Sequence, residues 1–240
     1  NALEKNLQNV DLAINVAAES HVDNSFGNSL VFTKTNTLGT HIFLEACRKQ
    51  KVKRIIHVST DEVYGENPGT PFKEKQFLNP TNPYSASKAA ADMIVNAYKK
   101  SYNMNISTLR ANNIYGIRQY PEKLIPKTIF CLLTKKKMPI HGDGNNYRHY
   151  LSVDDFCDGV IKIIENGKLN EIYNISSDRY YKVKDIVKII AKNLNKDFKS
   201  NIKFVQDRPF NDKIYKINCT KLKKLNWKVK RNLINDISII

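Results

Sequence analysis

The chain has 240 residues, 41% of them hydrophobic, which suffices for one large core or two unequal lobes and excludes a disordered chain. Its formal charge of +16 raises nucleic-acid and membrane binding, but the lysines are spread along the chain. The densest runs, Lys135 to Lys137 and Lys221 to Arg231, come with no nucleic-acid motif, so a solvated basic surface that attracts anionic substrates is expected. No apolar run approaches the roughly 18 residues that span a bilayer, and the first residues resemble no signal or transit peptide. Cys47, Cys131, Cys157 and Cys219 stand far apart and the histidines lack metal-like spacing. These features predict a cytoplasmic protein with reduced thiols and no metal, nucleic-acid or membrane partner.

In chain order, Leu12 to Ala18 (LAINVAA) is expected to form a strand ending in small residues, and Arg54 to Ser59 (RIIHVS) a second. Between them, Leu30 to Lys49 carries Val31, Leu38, Ile42, Phe43 and Ala46 at helical spacing. Strand, helix, strand at this separation is a βαβ unit, hence a parallel sheet with a right-handed crossover. A second round follows, with a helix at residues 84–100 behind Pro83 and a strand from Ile106 to Arg110. Further on come a helix from Lys123 to Thr134, a short strand at Pro139 to Ile140, and a helix from Val153 to Glu165 with two acids in its first turn. Tyr173 to Ile175 (strand), Val183 to Leu194 (helix) and Ile202 to Val205 (strand) complete the series. The predicted class is α/β, a Rossmann-like parallel sheet with helices on both faces plus a smaller mixed lobe.

An open nucleotide-binding sheet normally begins with a strand, a Gly-rich turn and a helix that holds a pyrophosphate. No G-x-G-x-x-G occurs here; Gly142 and Gly144 come nearest, and no helix follows them directly. The expectation is a chain without its first strands, or one that binds no dinucleotide in the usual way.

The residues richest in chemistry are STDEVYG, 59–65, which set Thr60 beside the adjacent acids Asp61 and Glu62 where the strand stops. Solvated loop acids are the plain alternative. Tyr84 and Lys88 lie four apart and so share one helix face. A phenol is a poor base near neutral pH, and an ammonium beside it favours the phenolate, which makes the pair a base for oxidising an alcohol. Ser59 and Thr60 lie at the carboxyl end of a strand, where ligands bind in such sheets.

YSASK together with STDEVYG, AAESHVD, TNTLGT and YPEKLIP resembles the extended short-chain dehydrogenase/reductase superfamily. Within it the likeness is to the nucleoside-diphosphate-glucose 4,6-dehydratases, from about Asp11 to Trp227. The Thr-Asp-Glu triplet is the more specific signal, since related epimerases generally lack the acid pair. The resemblance implies that Tyr84 takes the proton of the sugar 4-hydroxyl, hydrogen-bonded by Thr60, while hydride passes from C4 to NAD and Lys88 holds the nicotinamide ribose. Glu62 would then remove the C5 proton, protonated Asp61 would donate to the departing 6-hydroxyl, and hydride would return to C6. Two neighbouring carboxyls can divide those roles if mutual repulsion raises one pKa.

The resemblance also implies that Ala17, Ala18, Ser20, Thr35 and Ser59 contact the cofactor, with Ser20 also reaching the sugar. Asn36 matches a helix-kinking asparagine of the catalytic tetrad, unless it is simply a helix-surface side chain. Asn113, Glu122, Lys123, Leu124, Pro139, His141, Arg148, Arg208 and Asn211 match segments that enclose the nucleoside-diphosphate-glucose, the two arginines serving as forks for phosphate oxygens. Ile114, Val183 and Asn211 depart from frequent family residues, which leaves dTDP and UDP both open as the nucleotide. An NAD lobe is expected over 1–113 and 146–172, and a nucleotide-sugar lobe over 114–145 and 173–240. A homodimer is expected to pair Leu30 to Lys49 and Tyr84 to Lys100 in a four-helix interface. The competing readings are an epimerase of the same superfamily and a catalytically silent binding fragment.

Overall fold

A computed structural model describes residues 2–238. Among these, nine strands run β1 Leu12–Asn15, β2 Arg54–Thr60, β3 Ile106–Ala111, β4 Asn113–Tyr115, β5 Met138–His141, β6 Tyr147–Ser152, β7 Ile172–Ile175, β8 Tyr180–Lys182 and β9 Ile202–Val205. The main sheet has the order β1-β2-β3-β7 and is parallel throughout. Its central strand β3 is buried at every position, as expected of a parallel strand covered on both faces. Helices Gly39–Lys49 and Pro83–Ser101 cover one face, packing Leu44, Cys47 and Val95 onto Ile55 and Ile106. Helix Val153–Asn166 covers the other, where Phe156 and Ile163 meet Ile56, Leu109 and Trp227. Ile55 and Ile56 therefore face opposite cores, which is the period-2 signature of a strand.

The α/β class and the parallel sheet expected from the sequence are present, with two differences near the site. Strand β1 stops at Asn15, three residues short of the expected end, so Val16 to Ala18 leave the sheet. The expected helix over 30–49 is α-helical at Ser29–Phe32, π-helical at Thr33–Leu38 and α-helical again from Gly39. The widened turn carries Asn36 inward, fully buried. There its side chain accepts from the Glu19 amide at 2.8 Å and donates to the Glu19 carbonyl at 3.0 Å and to Ser87 Oγ at 2.9 Å. Asn36 is thus no surface side chain; it ties this helix to Pro83–Ser101 and to the loop after β1.

Two small sheets complete the fold. Strand β4 pairs in parallel with β6, which pairs antiparallel with β8, while β5 pairs with β9. The turn after the acid pair depends on Gly65, which has φ +80 and ψ −175, a combination open to glycine almost alone. A Cβ there would lie 2.3 Å from the Asn79 backbone oxygen. Gly65→Ala is therefore expected to destabilise the fold by about 2–4 kcal/mol, read as a lower urea midpoint.

Candidate active site

A cavity of about 440 Å³ opens at the carboxyl ends of β1, β2 and β3 and is closed opposite by β5, β6 and residues 208–215. Thr60, the last residue of β2, is extended, and its Oγ1 accepts from the Glu62 amide at 3.2 Å. That bond starts the 3-10 turn Asp61–Tyr64, which sends the two acids different ways. Glu62 lines the cavity, where Asn82 Nδ2 (3.3 Å) and the Tyr215 hydroxyl (3.4 Å) donate to its Oε2. Asp61 is buried in the wall, bonded by the Asn112 amide and, at 3.3 Å, by Thr60 Oγ1.

Helix Pro83–Ser101 begins at the same spot for local reasons. Asn82 and Ser85 form a reciprocal capping box and Pro83 occupies the first turn. This start fixes Tyr84 and, one turn later, Lys88 in the cavity wall, both buried. Phe32 meets the Tyr84 ring edge-on at 6.3 Å.

The charges differ from the expectation in two respects. Burial first, and the neighbouring Glu62 second, push Asp61 up to about 8. Burial also raises Glu62, with the Arg148 cation opposing. Desolvation, not mutual repulsion, is thus the main force on both acids. The Tyr84 phenol is likewise raised, by burial and then by the charge of Glu62, with the Thr60 hydroxyl pulling the other way. Lys88 does not offset this, because its Nζ donates to the Val58 carbonyl at 2.8 Å and burial lowers it to about 8. The expected phenolate-favouring pair is therefore not set up by these two residues alone.

Asp61 also predicts how stability varies with pH. Its folded pKa of about 8 lies above the ordinary value of about 3.9, so the folded chain binds the extra proton between them and stability falls as pH rises across that window. Asp61→Asn removes this dependence. Its melting temperature should exceed that of the parent by more at about pH 8 than at about pH 5.

Of the residues expected to meet cofactor, Ala18, Ser20 and Ser59 line the cavity beside Tyr84 and Lys88. Ala17 and Thr35 do not. Ala17 is exposed where β1 has ended, and Thr35 is exposed because the π turn takes Asn36 inward instead. On the opposite wall stand Asn113 of β4 and then Glu122, Lys123 and Leu124 from the following segment. Pro139 and His141 of β5, Arg148 of β6, and Arg208 with Asn211 complete it.

Both proposed phosphate forks are engaged by protein groups. Arg148 donates to the carbonyls of Tyr147 and Asp212, each at 2.8 Å, and to Asn211 Oδ1 at 3.1 Å. Arg208 Nη2 donates to Asp23 Oδ2 at 3.2 Å. Sequence reasoning missed Asn82, Asn112, Asp212, Tyr215 and Asp23. Asp212 accepts from Thr81 Oγ1 and shares the single Tyr215 hydroxyl proton with Glu62. Only the Asn-Pro pair before YSASK, an N-cap signal, could have flagged one of them, Asn82.

Residues 1–238 match the family model described as GDP-mannose 4,6 dehydratase. A trifunctional UDP-glucose 4,6-dehydratase/UDP-4-keto-6-deoxy-D-glucose 3,5-epimerase/UDP-4-keto-L-rhamnose-reductase of Arabidopsis thaliana is 47% identical over 229 residues, covering 94% of this chain and 34% of its own length. A dTDP-D-glucose 4,6-dehydratase of Dictyostelium discoideum is 42% identical over 272 residues, covering 95% of this chain and 62% of its own. The chain thus spans about a third of the Arabidopsis relative and less than two thirds of the Dictyostelium one. In structure it is similar to a dTDP-glucose 4,6-dehydratase of Streptomyces venezuelae crystallised with NAD and TYD bound. That match has a TM-score of 0.96 and 35% identity, over 99% of this chain and 74% of the other.

Proposed function

The chain belongs to the GDP-mannose 4,6 dehydratase family, and from that membership we propose that it serves the NAD-dependent dehydration of a nucleoside-diphosphate-glucose to the 4-keto-6-deoxy sugar nucleotide. The observation that carries this reading is one cavity wall in which Thr60, Glu62, Tyr84 and Lys88 converge, with Asp61 directly behind Thr60.

The residues present fit the nicotinamide-ribose end of NAD: Ala18, small and half-buried beyond β1, lines the same cavity as Lys88 and Tyr84. When bound, NAD supplies the site that accepts the C4 hydrogen and gives it back at C6, and its positive ring is the charge that favours the Tyr84 phenolate. Tyr84 Oη takes the 4-hydroxyl proton, and Thr60 Oγ1 orients that hydroxyl. The ketone so formed acidifies C5–H, and Glu62, braced by Asn82 and Tyr215, takes that proton and gives one back to C5 when the hydride reaches C6. Asp61, which burial keeps protonated up to about pH 8, carries the proton that the departing 6-hydroxyl requires. Arg148, Arg208 and Lys123 suit a nucleoside diphosphate in charge.

The same reading includes two lobes, 1–113 with 146–172 and 114–145 with 173–240, that meet at the cavity, and a homodimer in a reducing cytoplasm. Exposed Leu30 (71%), Leu38 (51%), Ile42 (46%) and Met93 (54%) on the two long helical segments support the dimer. Four free cysteines suit the compartment. Incubation with UDP-glucose and dTDP-glucose in parallel, followed by mass measurement, tests the activity. A sugar nucleotide lighter by one water is expected from at least one of them; turnover at unchanged mass would make the protein an epimerase.

A further inference from the structure

The helix Pro83–Ser101 covers a stretch of the main sheet that is polar where a core is normally apolar. Strand register pairs Asn15 with His57 and Ser59 with Arg110. Paired residues of a parallel sheet, and residues two apart on one strand, point to the same face. All four are buried, and none but Ser59 lines the cavity. In the preceding row, Ile55 and Ile106 are apolar and meet the same helix, so the polarity begins only beneath Lys88.

Into this polar patch the helix projects Asp92, one turn beyond Lys88 and itself buried. Arg110 Nε donates to Asp92 Oδ2 at 2.9 Å, and His57 Nε2 lies 3.5 Å from Oδ1. The Asn15 amide approaches His57 Nδ1 at 3.4 Å, which leaves Nε2 as the protonated nitrogen facing the carboxylate. Apolar residues of similar volume would stabilise such a position equally well or better, so packing does not account for the cluster.

We propose that Asp92 is a positioning residue: its carboxylate, clamped by Arg110 and His57, keeps Lys88 a cation and holds it against the Val58 carbonyl beside Tyr84. The Val58 oxygen is a neutral acceptor and balances no charge. Burial drives Lys88 down to about 8, and Asp92 is the carboxylate that opposes the fall. The titratable groups facing Lys88 are Asp92 and Tyr84 on its own helix and His57 on β2; Arg110 of β3 lies beyond Asp92 and competes for it. One anion thus serves two cations, so removing the anion and removing the competitor have opposite effects on Lys88.

Labelling lysine Cε with carbon-13 in the whole protein reads the Lys88 titration midpoint by NMR without any turnover, the resonance being assigned by its loss in Lys88→Arg. Asp92→Asn should lower that midpoint by about one pH unit or more, a tenfold fall in the ratio of ammonium to amine at fixed pH. The alkaline limb of kcat/KM should move down with it, and Asp92→Glu should restore both. Arg110→Gln keeps a donor beside Asp92 but removes the competing charge, so it should raise the midpoint. That opposite sign decides the matter even if Asp92→Asn does not fold. A midpoint unmoved in Asp92→Asn, or unmoved or lowered in Arg110→Gln, overturns the proposal. The catalytic meaning rests on the dehydratase reading, but the titration does not: absence of dehydration would sink that reading and leave the NMR shifts to decide this one.

Discussion

Tyr84→Phe is expected to lower turnover by about 10²–10⁴-fold, the range typical for loss of a positioned general base, and to leave the melting temperature unchanged. The substitution separates chemistry from packing because phenylalanine keeps the ring edge that Phe32 touches and the capping of the helix by Asn82. What disappears is the cavity-wall hydroxyl proposed to take the proton of the sugar 4-hydroxyl. The phenol of Tyr84 is held above its ordinary range by burial and by Glu62, so a bound nicotinamide cation would be the charge that favours its phenolate. Activity should therefore fall on the acid side of the wild-type pH profile, and Tyr84→Phe should flatten that limb. Turnover within a few-fold of the parent would remove Tyr84 from the role of base.

Glu62→Gln should stop the reaction one step later. Glutamine has the same shape, and its carbonyl oxygen can accept from Asn82 Nδ2 and the Tyr215 hydroxyl as the carboxylate does. It cannot accept the C5 proton. Oxidation at C4 should proceed, while elimination slows by about 10²–10⁴-fold. Quenching with borodeuteride then tests where the sugar waits: deuterium at C4 of a hexose that still carries its 6-hydroxyl is the expected product. A quenched product that has already lost water at the parental rate would strip Glu62 of its part in the elimination.

The order of elements was legible because the main-sheet strands carry short stretches of apolar and β-branched residues and the covering helices repeat their apolar positions with helical spacing. Ile55 and Ile56, adjacent yet in different cores, show the physical basis of that signal. Strand β6 escaped because YRHYLS is half-buried over its first three residues and mixes charge with aromatic rings, so no alternation announces it. The π turn escaped as well, since a widened turn is set by where the Asn36 amide finds partners, Glu19 and Ser87, and those are tertiary contacts.

The same division holds at the candidate site. Adjacency in STDEVYG and the four-residue spacing of YSASK are local patterns, and they flagged Thr60, Asp61, Glu62, Tyr84 and Lys88. The groups that tune them are not local: Asn112 reaches Asp61 across 51 residues and Tyr215 reaches Glu62 across 153. Sequence therefore named the acids and made their division of roles depend on mutual repulsion raising one pKa, whereas burial contributes more to both. It also credited Lys88 with a hold on the Tyr84 proton, whereas its Nζ faces the Val58 carbonyl and its own charge depends on buried Asp92.

The most direct measurement of whether these side chains form one dehydrating centre is the fate of the hydrogen on C4. Sugar nucleotide deuterated at C4, incubated with the NAD-loaded protein, should yield a product lighter by one water with the deuterium at C6. Deuterium found again at C4 of a sugar that has kept all its oxygens would contradict the account.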